Sequence, residues 1–313
     1  MNKGNFFDRF WIPYIGYEVL TGFSGKQVEQ EILDLEINES EVVANIGINW
    51  GRSLQIIFEK YPTVKKVYGI DSSKIMLRLT EIVFSEKNLN EENLTRNLSR
   101  QTLSFLESLQ KEAKKNAQKV TLIYSSAEEI YKKKIKIDKI AATMGFQWLE
   151  EPQTKGFVSM NRCLPLDGRV TFSTASANFE TSNPEESFIN NPYYLLFFKI
   201  FDEKFNRTFP MRNKLEKTGN KIYNINEIIR VVKLSGFQLE GYKEYKFEIE
   251  ERLIDKVCIA GIKFSYDCNT DNPRIKKIIE EVLKEIKSKH DYSIHTSRYE
   301  ICPIFRIKKI KEV

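Results

Sequence analysis

The sequence contains little of what several common active sites need. Only two of its 313 residues are histidines, His290 and His295, and both lie near the carboxyl end. Its four cysteines lie far apart and form no C-x-x-C pair, the spacing used by zinc knuckles and redox motifs. We therefore expect reduced thiols, no metal site and no conventional Ser/His/Asp triad.

Long apolar runs are also missing. No window of about 18 apolar residues occurs, which argues against a membrane-spanning helix. The first 20 residues include Asp8, Arg9, Pro13 and Glu18, so they lack the apolar core of a secretion signal, and we expect a cytoplasmic protein. The net charge of +6 is a mild excess that does not imply a nucleic-acid partner, and none is expected.

The sequence does contain a regular alternation of predicted strands and helices. Apolar strands are predicted within EVVANI, VKKVYGID, VTLIYSS, IDKIAAT and RVTFSTAS. Amphipathic or leucine-containing helical segments separate most of them. This alternation predicts an open, doubly wound α/β sheet whose ligands bind at the carboxyl ends of the strands.

We interpret the whole chain, 1–313, as one domain with four parts. An aromatic-rich helical cap is predicted over 1–36, and a cofactor-binding core over 37–176. An inserted helical lid, rich in Asn, Phe, Tyr and Lys, is predicted over 177–232. Residues 233–313 are predicted to complete the sheet with a long strand or pair of strands, a helix and a last strand, the final hairpin being antiparallel.

The most informative segment runs from Asn45 to Gly51. Gly47 and Gly51 follow a predicted strand and precede a predicted helix. Glycines there let the backbone approach a ligand, and the N–H groups of the helix favour a nucleotide-type cofactor. A dinucleotide fingerprint starting at Gly47 would need glycines where the chain has Asn49 and Arg52. A buried strand with a tight turn is the simpler alternative.

This segment resembles the first motif of class I S-adenosylmethionine-dependent methyltransferases, an acidic residue followed by G-x-G-x-G. Asn45, Gly47, Asn49 and Gly51 occupy the four positions. The resemblance implies a seven-stranded Rossmann-like sheet and S-adenosylmethionine as the cofactor, with S-adenosylhomocysteine as the product. Asn45 replaces the acid and Asn49 the middle glycine; asparagine tolerates left-handed backbone angles well.

Two later segments extend the resemblance. Asp71 ends the second predicted strand about 20 residues after Gly51, where an acidic side chain accepts hydrogen bonds from ribose hydroxyls. Alternatively Asp71, Ser72 or Ser73 caps the next helix. The segment Ser125-Ser126-Ala127-Glu128 occupies the place of the family's adenine-contacting G-D-A-E-like segment, with Ser126 where an aspartate is usual.

A fourth element resembles the methyltransferases that esterify malonyl carrier protein in biotin synthesis. In that subgroup a strand leads into a Gln-Trp or His-Trp pair at the mouth of the site, and the next strand ends in F-S-T. Gln147 and Trp148 form such a pair here, and Phe172, Ser173 and Thr174 end the next strand. The resemblance covers about residues 40–176.

The remaining candidate site residues follow from the resemblance and from position. The set implied to contact the cofactor comprises Tyr17, Asn45, Gly47, Asn49, Gly51, Asp71, Ser72, Ser126, Ala127 and Thr143. The acceptor-site set comprises Tyr14, Gln147, Trp148, Tyr194 and Phe198, although aromatic packing explains the tyrosines and Phe198 equally well. The candidates for a catalytic role are Gln147 and His295, and His295 has a structural role as its alternative.

These observations favour a methyltransferase acting on oxygen of a small-molecule, peptide or carrier-bound acceptor. A carboxylate, with a reference pKa of about 4, needs only positioning at neutral pH, whereas a phenol near 10 needs a base that we do not find. One rival is an RNA or protein methyltransferase, which predicts a contiguous basic surface beside the cofactor mouth. The other is a non-catalytic binding module, motivated by Asn45, Asn49 and Ser126, which predicts no cofactor binding.

Overall fold

The structure is a computed structural model that describes most of the chain, with gaps. The described residues are 8, 11–12, 15–16, 18–19, 22–96, 98–143, 146, 149, 152–174, 177–178, 192–209, 223–248, 254–256, 258–259, 262, 272–289, 299–311 and 313.

Nine strands are formed in the described part of the chain. They are β1 (Val42–Ile46), β2 (Lys66–Asp71), β3 (Val120–Tyr124), β4 (Lys139–Ala142), β5 (Arg169–Ser173), β6 (Ala177–Asn178), β7 (Tyr223–Asn224), β8 (Phe237–Glu248) and β9 (Tyr299–Lys309). Seven form one sheet in the order β3-β2-β1-β4-β5-β9-β8, and β6 pairs with β7. β1 to β5 pair in parallel, while β9 is antiparallel to β5 and β8. The predicted doubly wound sheet with an antiparallel last hairpin is therefore confirmed.

Helices surround this sheet. They are α1 (Phe23–Asp34), α2 (Arg52–Lys60), α3 (Lys74–Val83), α4 (Arg100–Ala113), α5 (Thr154–Cys163), α6 (Pro192–Thr208), α7 (Ile225–Leu234) and α8 (Pro273–Lys289). Two 3-10 helices, Lys114–Lys119 and Ala127–Lys133, flank β3. None of the helices described is long and apolar enough to span a membrane.

Alternate residues of the central strands build two cores, one on each face of the sheet. Val43 of β1 belongs to the core formed with α1 to α4, whereas its neighbour Ala44 belongs to the core formed with α5 and α7. Both residues are fully buried. Side chains of a strand alternate between the two faces, so a sheet covered on both sides reads as an uninterrupted apolar run.

A third apolar core lies in the helices inserted after β5 and β8. It joins Phe197 and Phe201 of α6, Val282 of α8, and the buried residues Cys258 and Ile262. The segment after β8 was predicted as a continuation of a long strand or pair, and that part of the prediction is wrong where residues are described. Residues 254–256, 258–259 and 262 are helical, consistent with apolar side chains four positions apart at 254, 258 and 262.

The two insertions leave the sheet at the same edge. β5 and β8 are both antiparallel to β9, so β5 and β8 end at the carboxyl edge where β9 begins. α6 follows β5, and α8 lies between β8 and β9. Helices from both sides of the predicted boundary at residue 232 therefore share one core.

A buried lysine caps the carboxyl end of α5. Lys309 is 1% exposed, and its Nζ donates hydrogen bonds to the backbone oxygens of Asn161 (2.9 Å) and Leu164 (2.7 Å). A cation at a helix carboxyl end interacts favourably with the helix dipole and satisfies carbonyls that lack partners within the helix.

We expect Lys309→Met to lower the free energy of unfolding by about 2–3 kcal/mol, because two buried carbonyls lose a charged donor. Urea denaturation followed by circular dichroism measures the change. Lys308→Met is the matched control, since Lys308 pairs at the surface with Asp167 (2.7 Å) and such pairs contribute at most about 1 kcal/mol. Equal losses in the two variants would contradict the capping role of Lys309.

Candidate functional site

The turn after β1 has the backbone geometry expected of a ligand-binding turn. Gly47, Asn49 and Gly51 have φ values of 78°, 54° and 95°. Left-handed angles are accessible to glycine and tolerated by asparagine, which explains how Asn49 replaces a glycine here. A Cβ atom on Gly47 would lie 3.2 Å from the backbone oxygen of Thr143, so the turn and the end of β4 approach closely.

Side chains of β1 and β4 fix this turn in place. The fully buried Asn45 donates from Nδ2 to the backbone oxygen of Ala141 (3.1 Å), and its Oδ1 accepts a hydrogen bond from Ser53 Oγ (2.6 Å). Thr143 Oγ1 donates to the backbone oxygen of Gly47 (2.7 Å). Asn45 and Thr143 therefore orient the turn.

The next helix directs its amino end toward the turn. Gly51 is the N-cap of α2 and provides no side-chain hydrogen bond to the helix. The first N–H groups of a helix carry a partial positive charge and are suited to bind an anionic group. The sequence therefore places a ready anion-binding element directly after the glycine turn.

Asp71 occupies the carboxyl end of β2, beside this turn. Its Oδ2 accepts the N–H of Ile48 (3.1 Å) and its Oδ1 accepts the N–H of Ser73 (2.8 Å). Ser73 itself is the N-cap of α3, with Oγ accepting the N–H of Met76 (3.1 Å). The capping alternative is thus satisfied by Ser73, and the half-buried Asp71 bridges the first two strand ends.

A residue that the sequence did not identify lies next to Asp71. Asp8 Oδ1 accepts hydrogen bonds from Ser73 Oγ (2.5 Å) and from the N–H of Ile75 (3.2 Å). Burial is the main cause that raises the pKa of Asp71 to about 7, and the nearby charge of Asp8 raises it further. Asp8 is 65 positions before Ser73, and no motif connects the two.

The end of β3 completes this part of the site. The N–H of Ser125 donates to the backbone oxygen of Asp71 (3.0 Å). Ser72 and Ser126 line a groove of about 780 Å³ that begins at this edge, and the buried Ala127 starts the 3-10 helix that follows. The predicted contacts Ser72, Ser126 and Ala127 thus lie close to Asp71, around the ends of β2 and β3.

A second group of buried polar side chains was not predicted from the sequence. Ser173, at the carboxyl end of β5, donates from Oγ to Glu31 Oε2 (2.7 Å) and accepts from Gln27 Nε2 (3.2 Å). All three side chains are fully or almost fully buried. Ser173 and Glu31 are 142 positions apart, so only the fold brings α1 to this strand end.

Several predicted site residues cannot be placed beside these groups. Tyr14, Tyr17, Gln147, Trp148 and His295 lie outside the described residues, and their roles stay predictions. The backbone of Tyr194 lies in α6, but its side chain is outside the described part.

Phe198 is half-buried in α6, with its ring centre 5.5 Å from that of Phe197. It packs against the third core. Its predicted contact with an acceptor also stays a prediction.

Nucleophilic and metal chemistry find little support in the described residues. Burial raises the pKa of the Cys163 thiol to about 11 and also raises that of Cys258, so these thiols are poor nucleophiles at neutral pH. Within the described ranges, no three His, Cys, Asp or Glu side chains are grouped so that they could hold a metal ion.

Comparisons with known proteins give structural neighbours only. No protein-family model and no curated protein sequence matches the chain. The YcgJ protein from Bacillus subtilis is 14% identical, with 91% of this chain and 99% of that chain covered and a TM-score of 0.49. For the mycolic acid cyclopropane synthase CmaA1 in complex with S-adenosylhomocysteine, the identity is 12%, the coverage 91% and 83%, and the TM-score 0.48.

The phosphoethanolamine N-methyltransferase 2 of Haemonchus contortus, also in complex with S-adenosylhomocysteine, is a further neighbour. It is 14% identical, with 91% of this chain and 53% of that chain covered and a TM-score of 0.45. Similarities of this size do not assign a family or an activity to this chain. Its own strand order and site residues have to support any function.

Proposed function

We propose that this chain is an S-adenosylmethionine-dependent methyltransferase. The observation that carries the proposal is the placement of Asp71 beside a turn with three left-handed residues, at the carboxyl edge of a sheet ordered β3-β2-β1-β4-β5-β9-β8. Ligands of open α/β sheets bind at this edge, where the strand order reverses. In this sheet the order reverses between β1 and β4, directly at the turn.

Asp71 offers a partner for the ribose of the cofactor. Each oxygen of Asp71 accepts one backbone N–H, and a carboxylate offers about four lone-pair sites. Asp71 therefore has capacity for two ribose hydroxyls.

The other end of the cofactor also has a partner. The amino end of α2 lies after the turn and favours an anionic group there, as the cofactor's carboxylate is. When bound, S-adenosylmethionine supplies a methyl group on an activated sulfonium, so the protein has to bind, align and exclude water.

Titration calorimetry of the purified chain with S-adenosylmethionine and S-adenosylhomocysteine tests this proposal. We expect a single site in the micromolar range for both ligands. Absence of binding to both would overturn the proposal and favour the non-catalytic binding module suggested by Asn45, Asn49 and Ser126. Binding of ATP or NAD with equal affinity would also overturn it, because it would indicate a general nucleotide site.

For the acceptor, we propose oxygen of an ionised group, a carboxylate of a small molecule, peptide or carrier-bound acyl chain. The support is chemical: such an oxygen is already a nucleophile at neutral pH, and neither described free thiol is suited to act as a base there. Transfer of a labelled methyl group to carboxylate, phenol and carrier-bound acceptors tests the proposal. Base-stable product from phenols alone would contradict it.

A further inference from the structure

A polar groove begins beside Asp71 and runs between two helices. Its volume is about 780 Å³, within the range of ligand sites in proteins. It is lined by Ser72, Tyr124, Ser125, Ser126, Glu128, Glu129, Tyr131, Lys132, Lys133, Lys155, Val158, Ser159 and Arg162. Hydroxyl groups and charged side chains dominate this lining, so the groove suits a polar ligand.

The walls of the groove are α5 and the 3-10 helix Ala127–Lys133. Lys155, Ser159 and Arg162 are four and three positions apart, on one face of α5, and extend over about 10 Å. This face of α5 therefore borders the groove over about 10 Å. The N–H of Tyr131, in the 3-10 helix, donates a hydrogen bond to Ser159 Oγ (3.2 Å). This bond joins the two walls.

The charge of the lining is positive. Four cations, Lys132, Lys133, Lys155 and Arg162, face two carboxylates, Glu128 and Glu129. Glu129 pairs with Lys132 at 2.5 Å. All four cations are exposed; Lys132 is paired with Glu129 and Arg162 Nε donates to the backbone oxygen of Val313 (3.1 Å), so Lys133 and Lys155 are the main candidates to contact a ligand.

Two tyrosines with accessible rings accompany the cations. Tyr124 is 53% exposed and Tyr131 is 37% exposed. Lys74 Nζ lies 5.4 Å from the ring centre of Tyr124, and the Arg162 guanidinium lies 5.0 Å from that of Tyr131. Aromatic rings next to basic side chains are the combination that binds single-stranded nucleic acid, because bases stack and phosphates pair with the cations.

We propose that this groove binds a short stretch of single-stranded nucleic acid. Stacking of bases on Tyr124 and Tyr131 explains why these two aromatic rings are exposed in a polar groove. A binding site for an acidic protein would not require such rings. The spread of the cations along about 10 Å fits successive phosphates better than one phosphate group. The net charge of the chain gives no reason to expect a nucleic-acid ligand. The clustering of the cations in the groove does give one.

The groove meets the proposed cofactor site at Ser72 and Ser126, which line both. A strand bound there would pass the mouth of that site, so nucleic acid becomes a candidate acceptor if the proposed methyltransferase function holds. Binding in the groove does not depend on that function. The two proposals can therefore fail separately.

Fluorescence anisotropy of the full chain with a labelled ten-residue oligouridine tests the groove. We expect saturable binding whose logarithm falls linearly with the logarithm of salt concentration, with a slope of about −0.7 per phosphate contact. Unlabelled single strands should compete, whereas ATP and duplex of equal phosphate concentration should compete poorly. Equal competition by ATP or by duplex would overturn the proposal.

Substitutions in the groove test where the oligouridine binds. Tyr124→Ala should weaken binding at least fivefold, since stacking of a base is worth about 1 kcal/mol or more, and Tyr124→Phe should retain it. The double variant Lys133→Gln and Lys155→Gln should reduce the salt slope by about 1.4.

The matched control is Lys276→Gln with Lys277→Gln, an exposed pair on α8, and it should leave the slope unchanged. Equal effects of the two lysine pairs would overturn the proposal, as would full binding by Tyr124→Ala. Circular dichroism of the groove variants, compared with that of the wild type, serves as the folding check. If S-adenosylhomocysteine binds no form of the protein while oligouridine does, the groove stands and the proposed methyltransferase function fails.

Discussion

Replacing Asp71 with alanine is expected to weaken the binding of S-adenosylhomocysteine at least 30-fold. In the proposed site the carboxylate accepts two ribose hydroxyls, and a hydrogen bond to a charged group contributes about 1.5–3 kcal/mol. Thirtyfold corresponds to only about 2 kcal/mol, so it is a conservative expectation for the loss of two such bonds. Calorimetric titration of wild type and variant under the same conditions measures the ratio.

A second aspartate provides a matched control for Asp71. Asp138 also accepts a backbone N–H, from Val42 through Oδ2 (2.8 Å), but it does so at the amino end of β1. Asp138→Ala should therefore lose a comparable structural hydrogen bond and keep wild-type affinity for the cofactor. Wild-type affinity in Asp71→Ala, or an equal loss of affinity in both variants, would contradict the proposal that Asp71 binds the ribose.

The fold should survive the change at Asp71. Because the pKa of Asp71 is raised to about 7 in the folded chain and is about 3.9 in an unfolded one, its ionisation destabilises the folded state. That cost is absent below about pH 4, grows between pH 4 and pH 7, and is complete above pH 7. Removing the carboxylate relieves this cost, so the loss of the hydrogen bonds from the N–H groups of Ile48 and Ser73 is partly offset at neutral pH.

Local signals in the sequence predicted most of the sheet and the turn that follows its first strand. The apolar strands ending at Ile46 and Asp71 were visible because buried parallel strands need continuous apolar runs. Left-handed residues follow from glycine and asparagine at 47, 49 and 51. The helix closed by Gly236 was equally predictable, since Asn224 and Glu227 form a capping box and Gly236 has a φ of 78°.

Contacts between distant segments could not be predicted in this way. The approach of Asp8 to Ser73, of Glu31 to Ser173 and of Lys309 to α5 depends on how helices pack on the sheet. No local pattern encodes these pairs. The basic groove could not be predicted for the same reason. Its lysines come from two helices, and no local sequence pattern marks them as neighbours.

The helices inserted after β8 show a different limit. Isoleucine and valine favour strands, which made the segment after β8 read as a continuing strand. The four-residue spacing of Ile254, Cys258 and Ile262 was the opposing signal. Packing against α6 makes the helical conformation favourable, since it buries these residues in a common core.

The affinity for S-adenosylhomocysteine is expected to fall about 100-fold between pH 8 and pH 5. In the proposed site it is the ionised carboxylate of Asp71 that accepts both ribose hydroxyls, and its pKa in the unliganded chain is raised to about 7. Below that value the ionised fraction drops tenfold with each pH unit, and apparent affinity drops with it. Titrations at half-unit intervals from pH 5 to pH 8 measure the profile.

The neighbouring charge of Asp8 should shift this profile. Asp8→Asn keeps an oxygen that can accept hydrogen bonds from Ser73 and Ile75 but removes the charge that contributes to the raised pKa of Asp71. The decline should therefore begin at a lower pH in Asp8→Asn, with the affinity at pH 8 nearly unchanged. In Asp71→Asn the weaker affinity should not vary over this range. A wild-type affinity independent of pH, or an unshifted profile in Asp8→Asn, would show that Asp71 does not bind the ligand as a carboxylate coupled to Asp8.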